Sequence, residues 1–189
     1  MPTHGFHAFD ELSKHNEAFY HDDLTTYSNK RFRILGINPG NFHDPIICRL
    51  QSLPIRQDLA YRALSYAWGS HQGHEEATLN GQPGFKITAS VAGAIRRLRH
   101  RDRVRCLWVD AICVNQANTS ERSQQVALMA DIFRFAELVY VWLGPCSGTA
   151  GNVQQSEECS RHRIEWNGSF KLITPGQDND PFCEVYLGK

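Results

Sequence analysis

The stretch LWVDAICVNQANTSER, Leu107–Arg122, begins as a dense apolar run and ends as a helix start, with Asp110, Cys113, Asn115 and Gln116 between the two. An apolar run this short, flanked by amphipathic segments, predicts a central strand covered on both faces. Upstream, Val91, Ala94, Ile95 and Leu98 recur at helical spacing, with Arg96, Arg97 and Arg99 on the opposite side. Downstream, Val126, Met129, Ile132, Phe133 and Ala136 restore the helical period, and LVYVWLG, Leu138–Gly144, reads as a further strand. With YRALSYAWG, Tyr61–Gly69, placed before them, the order becomes strand, helix, strand, helix, strand. That order predicts an α/β fold: a mostly parallel sheet with flanking helices and right-handed crossovers.

Outside this block, FRIL (Phe32–Leu35) and IICRL (Ile46–Leu50) flank the turn-rich Asn38-Pro39-Gly40-Asn41, which predicts an N-terminal strand pair. LNGQPG, ahead of Ile87, reads as another turn-rich piece. Residues 1–30 show no sustained apolar period and are expected to form a loosely ordered lead-in with few core contacts. Residues 145–189 are rich in Gly, Ser, Gln, Asn and Asp, so an irregular tail is expected, with FKLI and VYL as edge strands. The expected organisation is thus a lead-in over 1–30, one domain over 31–144 and a divergent, weakly structured tail over 145–189.

Twenty basic residues balance twenty acidic ones in 189, so no global field draws the chain to nucleic acid or an anionic membrane. No segment has the apolar length of a membrane span, and the first twenty residues lack a signal-peptide pattern. The expected location is cytoplasmic. The six cysteines are scattered without a C-x-x-C pair, so neither a metal site nor a redox couple is expected, and no cofactor is implied.

Asp110, at the carboxyl end of a parallel strand, would sit where open α/β sheets place their ligand crevice. The alternative is that Asp110, Asn115 and Gln116 satisfy backbone groups of a loop that cannot pair with the sheet. Asn118 precedes Glu121 by three positions, an Asx form of the capping box that makes Glu121 structural rather than an acid catalyst. Cys113 has no basic neighbour in sequence and reads as an inert thiol. Trp68, Trp108 and Trp142 read as core residues. The run RRLRHRDRVR, Arg96–Arg105, could grip phosphates, but also reads as a solvated helix end.

YRALSYAWG and LWVDAICVNQANTSERSQQVALMADIFRFAELVYVWLG resemble the hallmark blocks of the fungal heterokaryon-incompatibility (HET) domain, in order and spacing. FRILGINPG and LNGQPGFKITASVAGAIRRLR resemble the family's first strand and pre-helix segment. The resemblance runs from Arg31 to about Gly144 and departs after Leu143-Gly144. The positions carried by these blocks are Trp68, Gly69, Asp110, Cys113, Asn115, Gln116, Glu121, Arg122 and Gln125. The resemblance implies a role in non-self recognition between fused fungal cells, ending in growth arrest or programmed cell death. It also implies a remote likeness to Toll/interleukin-receptor (TIR) domains, some of which cleave NAD with a glutamate after the third strand. Here that region is the divergent tail, where Glu157 and Glu158 lack a supporting motif, so no catalytic residue is assigned. Many family members are much longer, leaving open that this chain is a truncated product.

Three functions follow as expectations. The first is a signalling or effector module acting through self-association or a protein partner. The second is an enzyme on a nucleotide, with Asp110, Asn115 and Gln116 lining a crevice beside Trp68. The last is a nucleic-acid binder using Arg96–Arg105, which charge balance disfavours.

Overall fold

The computed structural model describes residues 4–26, 30–66, 73–142, 170–173 and 182–187. In chain order the elements are α1 (His4–Asn16), β1 (Arg31–Ile37), β2 (Ile47–Pro54), β3 (Arg62–Tyr66), β4 (His74–Leu79), β5 (Gln82–Thr88), α2 (Ala89–Leu98), β6 (Arg105–Trp108), α3 (Asp110–Cys113), α4 (Thr119–Phe135), β7 (Leu138–Trp142), β8 (Phe170–Ile173) and β9 (Phe182–Leu187). The strands form one sheet in the order β5-β4-β2-β1-β6-β3-β7-β9-β8. Leu107 and Trp108 therefore lie in a central strand, and both are fully buried together with Val109.

The expected mostly parallel sheet is corrected to a mixed one. β3 runs parallel to β6 and β7, and β2 parallel to β4, while the other five pairings are antiparallel. Two of the five antiparallel pairings are hairpins. β1 and β2 form the expected strand pair, and β4 and β5 form a second hairpin inside the segment read as plain turn. Asn80 and Gly81 at its tip have φ of 53° and 82°, the doubly positive pattern of a type I′ turn, which Asn-Gly adopts with little strain. The dipeptide was present in LNGQPG and was the signal for this hairpin. In the tail, β8 and β9 extend the sheet beside β7 and coincide with FKLI and the VYL segment.

The register places the two crossover helices. Ala63 of β3 faces Trp108 of β6, and Tyr66 of β3 faces Trp142 of β7. Ala63 and Tyr66 differ by an odd number of positions, so the two indoles project from opposite faces. α2 covers the Trp142 face: Trp142 Nε1 donates to Ser90 Oγ at 3.2 Å, and a Cβ added to Gly93 would lie 3.4 Å from Trp142 Cζ2. α4 covers the other face, where Phe133 meets Trp108 edge to face at 5.2 Å between ring centroids.

α2 buries Val91, Ala94, Ile95 and Leu98 as expected. α4 follows its expected face at Met129, Ile132, Phe133 and Ala136, which are buried or packed against the core, but not in its amino-terminal half. It buries Glu121, Gln125, Leu128 and Ile132, while Val126 is 60% exposed. Polar residues with internal partners occupy the inward positions at its amino end.

Residues 4–26 also differ from the expected loose lead-in. α1 and two 3-10 turns occupy them, and the buried Asn16 side chain donates to Lys86 O (2.7 Å) and accepts from Lys86 N (2.9 Å). Asn16 thereby mimics a neighbouring strand along the edge of β5. The segment's anchoring combines those polar bonds with Phe19 and Tyr20 against Phe85 and with the buried Leu24.

Candidate functional site at the carboxyl end of the central strand

β6 ends at Trp108, and α3 opens at Asp110 with Val109 as its extended N-cap. β3 lies between β6 and β7, so the chain leaves β3 for one side and later returns to the other. Such a reversal is where α/β sheets place ligands, beyond the strands' carboxyl ends. Tyr66 closes β3 at this point. Burial first, then the charge and hydrogen bond of Asp110, push the Tyr66 phenol well above its ordinary pKa. Asp110 Oδ1 also accepts from Ala111 N at 2.7 Å, fixing the carboxylate across the first turn of α3.

The single network expected of Asp110, Asn115 and Gln116 divides into two joined halves. Gln116 Nε2 donates to the backbone oxygen of Asp110 at 2.9 Å, not to its carboxylate. Asn115 turns the other way: its Oδ1 accepts from Ala117 N (3.2 Å), and its backbone N–H donates to Glu121 Oε1 (2.7 Å). The capping box is half formed. Asn118 Oδ1 accepts from Glu121 N at 3.0 Å, whereas the Glu121 carboxylate is taken by a cation.

That cation is Arg33 of β1, which the sequence reading did not single out. Arg33 donates to both Glu121 oxygens, Nη1 to Oε1 at 2.5 Å and Nη2 to Oε2 at 3.0 Å, a bidentate pair with both side chains buried. It also donates to Cys113 O (3.2 Å), Asp22 Oδ1 (3.0 Å) and Asp22 O (2.5 Å), and its Cζ lies 5.0 Å from the centre of the Tyr20 ring. Burial opposes the guanidinium charge, but Glu121 and Asp22 outweigh it and hold Arg33 protonated. Tyr20 OH donates to Ile112 O at 3.0 Å, so the N-terminal segment is pinned to α3 as well. Glu121 and Gln125, four positions apart on one α4 face, are both buried, and burial requires internal partners.

Cys113 is fully buried. Burial pushes its thiol up to about 12, outweighing the lowering field of Arg33, a basic neighbour in space that is distant in sequence. Gln125 Nε2 donates to Arg31 O (2.8 Å), tying α4 to β1, and Arg122 Nη1 donates to Gln116 O (3.3 Å) on the exposed side. Trp68, Gly69, Gly144, Glu157 and Glu158 lie outside the described residues.

The Arg96–Arg105 run is partly structural. Arg96 pairs with Glu75 (2.6 Å), Arg97 stacks over Phe42 (5.2 Å), and Arg99 is buried against the backbone oxygens of Asn41, Asp44 and Pro45. Among the described residues no three His, Cys, Asp or Glu side chains are grouped to hold a metal ion, and no helix is long and apolar enough to cross a membrane.

Residues 61–177 match the heterokaryon incompatibility protein (HET) family. Heterokaryon incompatibility protein 6, OR allele, of Neurospora crassa is 32% identical over 160 residues, which cover 78% of this chain and 24% of that protein. The chain therefore spans about a quarter of that relative's length. No solved structure matches it. The matched span starts at Tyr61, later than Arg31, and continues beyond Gly144. It contains β3, the Asp110–Gln125 loop and helix, and β7, while β1 with Arg33 precedes it: the chain belongs to the HET family.

Proposed function

We propose that the chain is an incompatibility-type signalling or effector module of fungal non-self recognition, acting through self-association or contact with a protein partner and ending in cell death. Family membership supports the biological role. The observation that carries the site assignment is the division of labour in the loop. Arg33, Glu121 and Asn115 make a buried frame, while Asp110 and Gln116 stay half-buried at the carboxyl end of β6. A rigid frame beneath accessible polar groups is a surface that can recognise without rearranging.

The test is expression of variants in fungal cells, with growth arrest scored at matched protein abundance. Asp110→Asn preserves shape and removes the charge, so killing should fall with abundance unchanged. Loss of killing that merely tracks abundance would reduce the loop to a stability element.

A second reading, cleavage of a nucleotide such as NAD, is favoured by one observation. The Asp110 carboxylate and Tyr66 phenol meet at the ends of adjacent parallel strands, where a ribose or amide could be held. Nicotinamide release from NAD by the purified chain, abolished in Asp110→Asn, would support it. NAD left intact while the chain still kills would exclude it.

A further inference from the structure

At the opposite pole of the parallel strands, Arg62, Arg103 and Arg105 surround His100. β3 and β6 begin with Arg62 and Arg105, and the loop between α2 and β6 carries His100, Arg101 and Arg103. Arg105 is held in place by neutral partners. Its Nη1 donates to Tyr140 OH at 2.6 Å, its Nη2 contacts His100 Nδ1 at 3.3 Å, and its Cζ lies 5.6 Å from the centre of the Tyr140 ring. Tyr140 is itself buried in β7, so the guanidinium is fixed against the sheet. Among the described residues Arg105 makes no ion pair, and its Nε is shut from solvent without an acceptor.

This arrangement also sets the neighbouring ring. An arginine can only donate, so His100 Nδ1 must accept, which leaves the His100 proton on Nε2, pointing away from Arg105. Burial, then the fields of Arg105 and Arg103, with a smaller one from Arg62, hold His100 below its ordinary pKa against the opposing pull of Asp102. Two carboxylates stand nearby. Asp102 is exposed in the same loop, and Glu137 reaches Arg62 at 3.5 Å. Among the described residues neither forms an ion pair with Arg105 or Arg103, although the Asp102 charge is felt at His100 beside them.

We propose that Arg105, His100 and Arg103 form an anion site that takes a compact phosphate group, free or as the diphosphate of a mononucleotide. Arg105 supplies a guanidinium whose Nη1 and Nη2 each retain a second N–H, His100 a neutral N–H, and exposed Arg103 a second cation able to close over the ligand. The patch is confined to one loop and two strand starts. Arg96, Arg97 and Arg99 of the same run are engaged elsewhere, which favours one or two phosphates over a nucleic-acid backbone that needs an extended row. This site lies at the other end of the strands from Asp110 and does not depend on the function proposed there.

The test follows His100 ring signals by NMR while the full chain is titrated with inorganic phosphate, pyrophosphate, ADP and a short single-stranded oligonucleotide. Pyrophosphate or ADP should bind and raise the His100 pKa by about one unit, as an adjacent anion favours the imidazolium. Arg103→Gln, on an exposed residue that the fold does not need, should weaken binding about tenfold. Arg105→Lys should weaken it further by replacing the guanidinium with a point charge. If inorganic phosphate binds as well as ADP, the site reads the phosphate alone; if ADP is much tighter, a nucleoside is also held, and both outcomes support the proposal. Unmoved His100 signals at millimolar pyrophosphate, or unchanged affinity in Arg103→Gln, would overturn it. So would tight oligonucleotide binding with a salt dependence of many phosphates and no response to pyrophosphate.

Discussion

Glu121 shows what a single residue can hide. Its spacing from Asn118 marks it as a cap, and the Asn118 half of that cap is present. Its carboxylate instead neutralises Arg33, 88 positions away in sequence and buried on the sheet. Removing Glu121 would leave the buried Arg33 with only the more exposed Asp22 as counter-charge, and breaking a buried pair costs about 3–5 kcal/mol. Glu121→Gln should therefore lower the urea midpoint by most of the stability of a marginal domain. Arg33→Met combined with Glu121→Leu should recover much of the loss, because both desolvation penalties disappear together. A single Glu121→Gln variant as stable as the parent would mean that the pair is solvated. The half-buried Asp110 should tolerate Asn far better, so the two carboxylates separate stability from recognition.

At the scale of elements, α4 differs most from expectation. Counting apolar residues puts Val126 on its inner face, yet Val126 is 60% exposed and the amino-terminal half turns Glu121 and Gln125 inward. Apolar periodicity fails where a helix end meets backbone and charge that need polar partners: here Arg33, Asn115 N and Arg31 O. The resulting register can be measured. Val126→Glu should change stability by less than about 0.5 kcal/mol, whereas Ile132→Ala, at a fully buried position, should cost about 2–5 kcal/mol. Thermal melts of the two variants decide it, and equal losses would mean that α4 is rotated from the orientation described. α2 has no such conflict, and its apolar face was legible residue by residue.

For the molecule as a whole, burial of ionisable groups gives a pH dependence with a definite sign. Burial raises the Cys48 and Cys113 thiols from 9.0 to about 12, and raises the phenols of Tyr20, Tyr61 and Tyr66 above their ordinary range. Between those limits the unfolded chain has released protons that the folded chain still holds, so stability falls as pH rises. The contribution is fully present below about pH 9, the unfolded thiol range, and declines above it. Melting temperature should hold level from neutral pH to about 9 and then fall steadily towards pH 11. A melting temperature unchanged over that upper interval would mean that these thiols and phenols reach water in the folded state.

The sequence alone determined the parts ruled by local pattern. The apolar run Leu107–Val109 had to be central, α2 had to lay Val91, Ala94, Ile95 and Leu98 on the sheet, and Asn118 had to start α4. Asn80-Gly81 also fixed its hairpin, since doubly positive φ at a two-residue tip is a local property. The family blocks identified the domain for the same reason, being contiguous strings. Tertiary structure alone decided the direction of most strand pairings, the inward turn of Glu121 and Gln125, and the meeting of Tyr66 with Asp110. It also decided that Asn16, Tyr20 and Asp22 belong to the fold. In each of these cases a polar group is stable where it is because of a partner tens of residues away, and residue spacing along a chain carries no record of such partners.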